Sequence, residues 1–228
     1  MALSDPVEGK FVVLSTNDGE HWKEMPREKM PAALPQEGAF AASGTAIALC
    51  DHKILFGTGG GPAARIFRSV DEGRSWNMSQ VPIAGGNASS GVFSIACHGD
   101  NLVAVGGDYK EPDTAGKIAI YSEDSGATWH PAETQPGGYR SAAGYLGDGG
   151  GFAAVGPNGT DVSHDEGIHW QHADRLNLNA LSFDGGHGWA VGPKGTVAAS
   201  VLQFSVLGSQ FSVLGSQLRR DAYAMPER

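Results

Sequence analysis

The chain has 228 residues, 40% of them apolar and 18% charged, so it is long enough to bury a core and too apolar to be a charged disordered segment. Its net charge of −9 argues against DNA or RNA as the main partner, because phosphate binding needs a basic field. The 34 glycines follow no collagen period and therefore favour a turn-rich, all-β fold. No apolar run is long enough to encode a membrane span.

One pattern, Ser-x-Asp/Asn-x-Gly-x-x-Trp, recurs four times along the chain. Its copies, here called box turns one to four, are residues 15–22, 69–76, 122–129 and 163–170. In a hairpin turn the Asp or Asn accepts backbone hydrogen bonds, the Gly supplies a positive φ, and the Trp opens the returning strand. We therefore predict structural roles for the capping, glycine and tryptophan positions: Asn17, Gly19 and Trp22; Asp71, Gly73 and Trp76; Asp124, Gly126 and Trp129; and Asp165, Gly167 and Trp170.

Apolar stretches precede box turns two to four in a constant order, with a first strand, a second strand that ends in glycines, and a third strand that enters the turn. The first strands are predicted at 38–43, 91–96 and 138–143, and again at 179–183. Four short strands in a repeat of about 40–50 residues are typical of a β-propeller blade. The sequence thus predicts an all-β propeller, partial or open, of about four to five blades with four antiparallel strands each.

The predicted organisation of residues 1–201 is a part-blade, three blades and a second part-blade, at 1–24, about 37–80, 90–133, 138–173, and 178–201.

The box turns resemble the Asp-box, or BNR, repeat of sialidases, sortilin-type receptors and photosystem II stability/assembly factors. The strings at 4–11, 37–45 and 106–113 are similar to the bacterial branch related to the photosystem II assembly factor, whose members are often labelled oxidoreductase or glycosyl hydrolase. The resemblance covers about residues 3–200 and implies a propeller with an assembly or stability role.

The same resemblance implies that the chain is truncated, because a signal peptide and further blades usually precede residues 4–6 in that family, and its full-length relatives are expected to be exported. Residues 1–6 themselves have neither the basic nor the apolar region of a signal peptide. The sequence therefore leaves the compartment of the protein open.

The C-terminal segment departs from the repeat. Residues 203–209, Gln-Phe-Ser-Val-Leu-Gly-Ser, recur at once as 210–216, which is low complexity. We interpret 202–228 as a tail that is not native to the fold. The alternative is that Phe204–Leu207, which is apolar and β-prone, supplies the missing outer strand of the last part-blade.

Successive strands run in opposite directions, so the loops from second to third strand and the links between blades share one face, here called the loop face, and the box turns lie on the other. Aligning the first strands places Phe40, Phe93 and Arg140 at the mouth of the central channel. The longest loop, at 106–116, carries the densest group of functional side chains. The candidate binding residues on the loop face are Glu37, Phe40, Phe93, Asp108, Tyr109, Lys110, Tyr139 and Arg140.

A sialidase active site is a weaker interpretation of the same residues. Such a site needs three arginines that clamp a carboxylate, a Tyr nucleophile with a Glu partner, and an Asp acid. Arg65, Arg68 and Arg140 could nominally form the clamp, with Tyr109 or Tyr139 as the nucleophile. However, the Phe/Tyr-Arg-Ile-Pro string typical of sialidases is missing, and Arg68 directly precedes a box turn on the opposite face. We therefore predict no catalytic residue.

Metal and cofactor sites are also weakly supported. His164, His169 and His172 cluster around box turn four, where we interpret them as exposed turn residues. Cys50 and Cys97, near the ends of two successive first strands, are expected to be buried small apolar residues rather than a disulfide framework. We predict no metal and no cofactor.

Three functional hypotheses follow. The leading one is a non-catalytic scaffold that docks a protein or peptide on the loop face. The alternative is a glycan-active hydrolase or a lectin, and the third is a decayed remnant without function. We expect a protein or peptide partner, with a glycan as the alternative, and neither a nucleic acid nor a membrane span.

Overall fold

The structure of the protein, a computed structural model, describes residues 1–41, 44–147, 150–184 and 187–201. The tail predicted at 202–228, with the alternative strand Phe204–Leu207, lies outside these ranges. Within them the chain forms five antiparallel sheets, each built from strands that are consecutive in sequence.

The first two sheets contain β1 (Ala2–Val7), β2 (Lys10–Ser15) and β3 (Lys23–Glu24), then β4 (Ile47–Cys50), β5 (Lys53–Thr58), β6 (Arg65–Ser69) and β7 (Asn77–Gln80). The third and fourth contain β8 (Ser90–His98), β9 (Asn101–Asp108), β10 (Ala119–Ser122) and β11 (His130–Pro131), then β12 (Ala142–Tyr145), β13 (Phe152–Gly156), β14 (Gly159–Ser163) and β15 (Gln171–Asp174). The fifth contains β16 (Ala180–Asp184), β17 (His187–Gly192) and β18 (Thr196–Val201), with a 3₁₀ turn at Pro193–Gly195.

The first strands of sheets two to five, β4, β8, β12 and β16, lie next to one another in chain order. Each of these four sheets is a meander that runs outward from this inner position. In the first sheet, box turn one joins β2 to β3, so β1 and β2 correspond to the second and third strands of the other sheets. This arrangement is a β-propeller, and the predicted all-β fold class is confirmed.

Two of the predicted first strands are displaced. The second sheet begins at Ile47 rather than at 38–43, and the fourth begins at Ala142 rather than at Gly138. The physical reason is that the residues before these strands bond elsewhere: Gly38 exchanges backbone hydrogen bonds with Gly59, and the Arg140 N–H donates to the Gly106 carbonyl of the third sheet. They are links between blades rather than strands.

Apolar side chains fill the spaces between adjacent sheets. Between the first and second sheets, Phe11 lies 5.3 Å from both Phe56 and Phe67, measured between ring centroids, and Trp76 packs edge-on to Phe56. All four rings are buried. Separate apolar clusters of this kind lie between each pair of neighbouring sheets, to which each sheet contributes one face.

Box turn two shows how the pattern works. The Ser69 hydroxyl accepts a 2.8 Å hydrogen bond from the Gly73 N–H, and Asp71 Oδ1 accepts one of 2.8 Å from the Ser75 N–H. The hydroxyl and the N–H of Ser75 lower the pKa of Asp71 to about 2, because both bond to its ionised form. The Trp76 indole donates back to the Gly73 carbonyl. The same hydrogen bond, from the glycine N–H to the serine hydroxyl, occurs in turns three and four.

The glycine of the box turns has a second role that the pattern did not predict. A Cβ at Gly126 would lie 2.6 Å from Leu55 Cδ2, and a Cβ at Gly167 would lie 2.4 Å from Val103 Cγ1. Both contacts are to the preceding sheet. Glycine therefore supplies the positive φ of the turn and also lets the turn press against its neighbour.

Box turn one differs from the prediction at its capping position. Asp18, not Asn17, accepts hydrogen bonds from the backbone N–H groups of Glu20 and His21, at 2.9 and 2.8 Å. The turn is one residue tighter, since the Gly19 N–H reaches the hydroxyl of Thr16 rather than that of Ser15. Trp22 is also 47% exposed, so it does not pack like the buried tryptophan of turn two.

The two cysteines correct a second prediction. Cys50, at the end of β4, and Cys97, in β8, form a disulfide with a Cα–Cα distance of 5.9 Å. Both residues lie near the ends of successive first strands, as predicted, but they are not the unpaired apolar residues expected. Equivalent positions of neighbouring first strands lie side by side in a propeller, which brings the two sulfurs together. The bond links the second and third sheets near the axis.

We expect Asp18→Ala to raise the amide hydrogen-exchange rates of Glu20 and His21 several-fold, because both N–H groups lose their acceptor. Asn17→Ala is the matched control and should leave both rates unchanged. Exchange measured by NMR distinguishes the two positions, and equal effects of the two substitutions would contradict the assignment of the cap to Asp18.

Replacing both cysteines, as Cys50→Ala/Cys97→Ala, is expected to lower the free energy of unfolding by about 2–4 kcal/mol, because the cross-link restricts the unfolded chain. Urea denaturation of the oxidised protein measures the difference. Adding dithiothreitol should destabilise the unaltered chain by a similar amount and leave the double variant unaffected. If dithiothreitol left the urea midpoint of the unaltered chain unchanged, the disulfide would not contribute to stability.

Candidate functional site

The loops from second to third strands and the links between sheets meet on one face of the propeller. Gly59, in the loop after β5, bridges to Gly38 on one side and to Gly91 on the other. In the next sheet, the Tyr139 N–H donates a 2.9 Å hydrogen bond to the Pro112 carbonyl of the loop after β9. These contacts form the loop face.

The opposite face carries the box turns. Arg68, just before box turn two, donates from Nε to the backbone carbonyl of Ser125 in box turn three, at 2.8 Å. Ser125 also bonds to Asp100 in the turn after β8. Arg68 therefore lies away from the loop face, as the sequence indicates.

Four aromatic side chains form a cluster on the loop face, here called the aromatic platform: Phe40, Phe93, Tyr109 and Tyr139. Phe40 and Phe93 stack with their centroids 4.0 Å apart, and Tyr139 packs edge-on to Phe93 at 4.8 Å. Tyr109 lies edge-on to both phenylalanines, at 6.4 and 6.2 Å. Phe93 and Tyr139 are buried, whereas Tyr109 is 46% exposed. The platform thus has a packed underside and one open ring.

Two glycines make room for the platform. A Cβ at Gly59 would lie 2.6 Å from the Phe40 ring, and a Cβ at Gly91 would lie 2.9 Å from the same ring. A larger residue at either position would push Phe40 away from Phe93. In the sequence, the sign of this close approach is a glycine at each position, Gly59 in the loop after a second strand and Gly91 at the start of a first strand. Glycines there were interpreted only as turn residues.

The hydroxyl of Tyr139 is poorly suited to nucleophilic chemistry. Burial, with a smaller contribution from the nearby Tyr109, raises the pKa of Tyr139 above its ordinary value. A tyrosine that attacks a sugar has to lose its proton readily, and this environment opposes that loss.

Asp108 and Lys110 lie on either side of Tyr109 in the chain. Burial disfavours the ionised form of Asp108, but hydrogen bonds from Ser89, the Lys110 N–H and Asn87 outweigh it and hold the pKa of Asp108 below its ordinary value. Lys110 is exposed. The rim of the platform beside Tyr109 is therefore charged and contains an acceptor that stays ionised.

Glu37 is not an exposed binding residue, contrary to its predicted place beside Phe40. Its side chain is buried, with one carboxylate oxygen accepting from Arg65 Nε at 2.7 Å and the other paired with the Arg65 Nη2. The Leu34 N–H donates to the same carboxylate at 2.7 Å. The physical reason is that a buried guanidinium is stable only beside a carboxylate, so the pair holds the link against the second sheet.

Arg140 is likewise buried rather than displayed at the channel mouth. Its Nε donates to Asp161 Oδ2 at 2.6 Å, and its Nη1 donates to the Tyr139 carbonyl at 2.9 Å and to Asn158 Oδ1 at 2.5 Å. Tyr139, one residue earlier, takes the place beside Phe93 that the alignment gave to Arg140. A signal existed in the sequence, because Asp161 is the one charged residue of its strand.

The histidines around box turn four bind separate partners. His169 contacts Asp165 and Glu133, at 2.7 and 3.3 Å, while His172 lies 3.5 Å from Asp161. Within the described ranges no group of three or more His, Cys, Asp or Glu side chains is arranged to hold a metal ion. The same part of the chain contains no helix long and apolar enough to span a membrane.

Comparison with known proteins gives structural matches only. No family model matches the sequence, and neither does any curated protein. The NanB sialidase of Streptococcus pneumoniae, in complex with 2-[(3-chlorobenzyl)ammonio]ethanesulfonate, is 17% identical with a TM-score of 0.50, over 90% of this chain and 35% of that one. The shared property is the β-propeller fold. At this identity the likeness shows nothing about activity.

Two further structures are similar at lower scores. YCF48 bound to D1 peptide is 16% identical, with a TM-score of 0.48 over 78% of this chain and 58% of that chain. The ancestral GH74 enzyme AFV00434 is 15% identical, with a TM-score of 0.49 over 93% of this chain and 32% of that chain. The chain thus spans between about a third and three fifths of the length of these proteins.

Breaking the buried ion pair by Arg140→Ala is expected to cost about 3–5 kcal/mol of unfolding free energy, because Asp161 is left charged and buried. Chemical denaturation measures this loss. The double variant Arg140→Met/Asp161→Leu removes both charges and should recover most of the stability, whereas a residue exposed on the loop face would cost little on replacement. An Arg140→Ala protein as stable as the original would show that the pair is not structural.

Proposed function

We propose that the chain is an Asp-box β-propeller scaffold without catalytic activity, which docks a protein or peptide segment on its loop face in an assembly- or stability-factor-like role. The observation that carries the proposal is the aromatic platform, with the exposed ring of Tyr109 above a packed layer of Phe40, Phe93 and Tyr139.

The platform has the physical properties of a binding anchor. Tyrosine combines a large apolar ring with a hydroxyl and loses little side-chain entropy when it is immobilised, which is why it is enriched at the centres of interfaces. The rings beneath Tyr109 are already packed, so little ordering is needed when a partner binds. The charged side chains of Asp108 and Lys110 beside it supply a polar rim.

The alternative of a glycoside hydrolase is less well supported by the same geometry. Two of the three arginines nominated for a carboxylate clamp, Arg65 and Arg140, are neutralised by buried carboxylates, and Arg68 lies on the face of the box turns. A general acid needs a raised pKa, whereas the pKa of Asp108 is lowered. A protein that binds a glycan through stacking on Tyr109, without cleaving it, would correspond to the lectin alternative.

Selection of peptides from a phage-displayed random library on the immobilised protein tests the proposal. We expect enriched peptides to lose about tenfold or more in affinity on Tyr109→Ala, the loss typical of a central aromatic anchor. Trp22→Ala is the matched control, because Trp22 is 47% exposed on the box-turn side and should not affect binding.

Fluorogenic sialosides and β-glucosides separate the hypotheses further. No turnover is expected from the scaffold. Turnover that survives purification and is abolished by Tyr109→Ala would establish the hydrolase instead, and binding of a glycan array without turnover would establish the lectin. A folded protein that selects neither peptide nor glycan would support the hypothesis of a remnant without function.

A further inference from the structure

The charged side chains around the aromatic platform are mainly acidic. The longest loop with its following residue, 106–117, and Asp5 together contribute four carboxylates and two lysines, all exposed or half-buried: Asp5, Asp108, Glu111 and Asp113, against Lys110 and Lys117. The loop at 59–64 and the link at 84–89, which border the platform on its other side, contain no charged residue. A partner that covers the platform is therefore favoured by positive charge.

The carboxylate of Asp108, next to Tyr109 in the chain, is held in place by its neighbours. Its Oδ1 accepts a hydrogen bond from the Lys110 N–H, and its Oδ2 accepts one from the Asn87 side-chain amide, both at 2.9 Å. These bonds favour the ionised form and hold the pKa of Asp108 below its ordinary value. A fixed, charged acceptor thus lies beside the exposed ring.

Two further carboxylates are also tied to the loop face. Asp5 Oδ1 accepts a 2.9 Å hydrogen bond from the N–H of Ala39, the residue before Phe40. Asp113, in the longest loop, accepts one of 2.9 Å from the Asn158 side-chain amide. Both carboxylates are exposed. Because hydrogen bonds orient them, little ordering is needed when a cation approaches.

The protein already holds one guanidinium between an aromatic ring and a carboxylate. The Arg65 Cζ lies 4.9 Å from the centroid of the Phe67 ring, while its Nε donates to Glu37 at 2.7 Å. A guanidinium suits this arrangement because it is planar, stacks on a ring face and keeps its donors in the plane for an acceptor. An ammonium group is more strongly hydrated and lacks that plane, so it gains less.

We propose that the segment docked on the loop face carries an arginine, whose guanidinium stacks on the exposed ring of Tyr109 and whose charge is met by Asp108 and the neighbouring carboxylates. The inference rests on the proposed function and names the chemistry of the partner. An acidic segment would be repelled by the same rim, and an uncharged one would gain nothing from it.

The peptides selected on the immobilised protein test the inference directly. We expect arginine to be enriched in them relative to the starting library. In a synthetic selected peptide, replacing that arginine by citrulline keeps the shape and removes the charge. This change should weaken binding about tenfold or more, and lysine in the same position should weaken it about threefold. Fluorescence anisotropy of the labelled peptides measures both losses.

Protein variants locate the charge that the arginine meets. Asp108→Asn should weaken the arginine peptide about tenfold and leave the citrulline peptide unchanged. Glu123→Gln is the matched control, because it removes an exposed carboxylate on the box-turn side and should affect neither peptide. Since Asp108 also bonds within the loop face, the double variant Glu111→Gln/Asp113→Asn is a second probe, with an expected loss of a few-fold. Near-UV circular dichroism verifies that each variant is folded.

The outcomes separate this inference from the proposed function. Peptides that depend on Tyr109 but lack arginine, or that bind equally well with citrulline, would overturn the inference and leave the peptide scaffold in place. Equal effects of Asp108→Asn and Glu123→Gln on the arginine peptide would also overturn it. If no selected peptide depends on Tyr109, or if only a glycan binds there, the inference and the proposed function both fail.

Discussion

Each sheet of this protein depends on the close approach of its neighbour. A twisted four-stranded sheet has two apolar faces and cannot exclude water from either alone, so the distance between sheets decides the stability of the whole. The glycines of the box turns set that distance on one side of the molecule. A side chain at Gly126 or Gly167 would collide with Leu55 or Val103 of the preceding sheet. The box-turn repeat thus determines how closely adjacent sheets pack, as well as forming the hairpin turns.

The same constraint shapes the loop face on the other side. There the links between sheets cross the ends of the strands, and Gly59 and Gly91 leave the space in which the Phe40 ring lies on Phe93. Buried ion pairs fix the links in place, since removing the partner of Glu37 or Arg140 would leave a charge without water. The charges that looked most functional are therefore those that hold the face rigid, and the aromatic rings between them form its surface.

Local chemistry explains how much of this could be predicted from the sequence. A hairpin with Ser, Asp, Gly and Trp at fixed spacing is specified within eight residues, and the all-β propeller followed from the recurrence of that hairpin after three apolar strands. The site depended on contacts between distant segments. Arg65 pairs with Glu37 across 28 residues, Arg140 pairs with Asp161 across 21, and Cys50 meets Cys97 across 47. Aligning one repeat with the next cannot show which of two adjacent residues, such as Tyr139 and Arg140, turns toward the surface.

The buried charged residues and the exposed aromatic ring of the loop face therefore have different roles. Its two buried arginines are each paired with a carboxylate, burial raises the pKa of Tyr139, and hydrogen bonds hold the pKa of Asp108 below its ordinary value. Within the aromatic platform, the ring of Tyr109 is 46% exposed and lies against the packed rings of Phe40 and Phe93. Under the proposed function, such a surface gains free energy when a partner covers its apolar area and loses little to ordering.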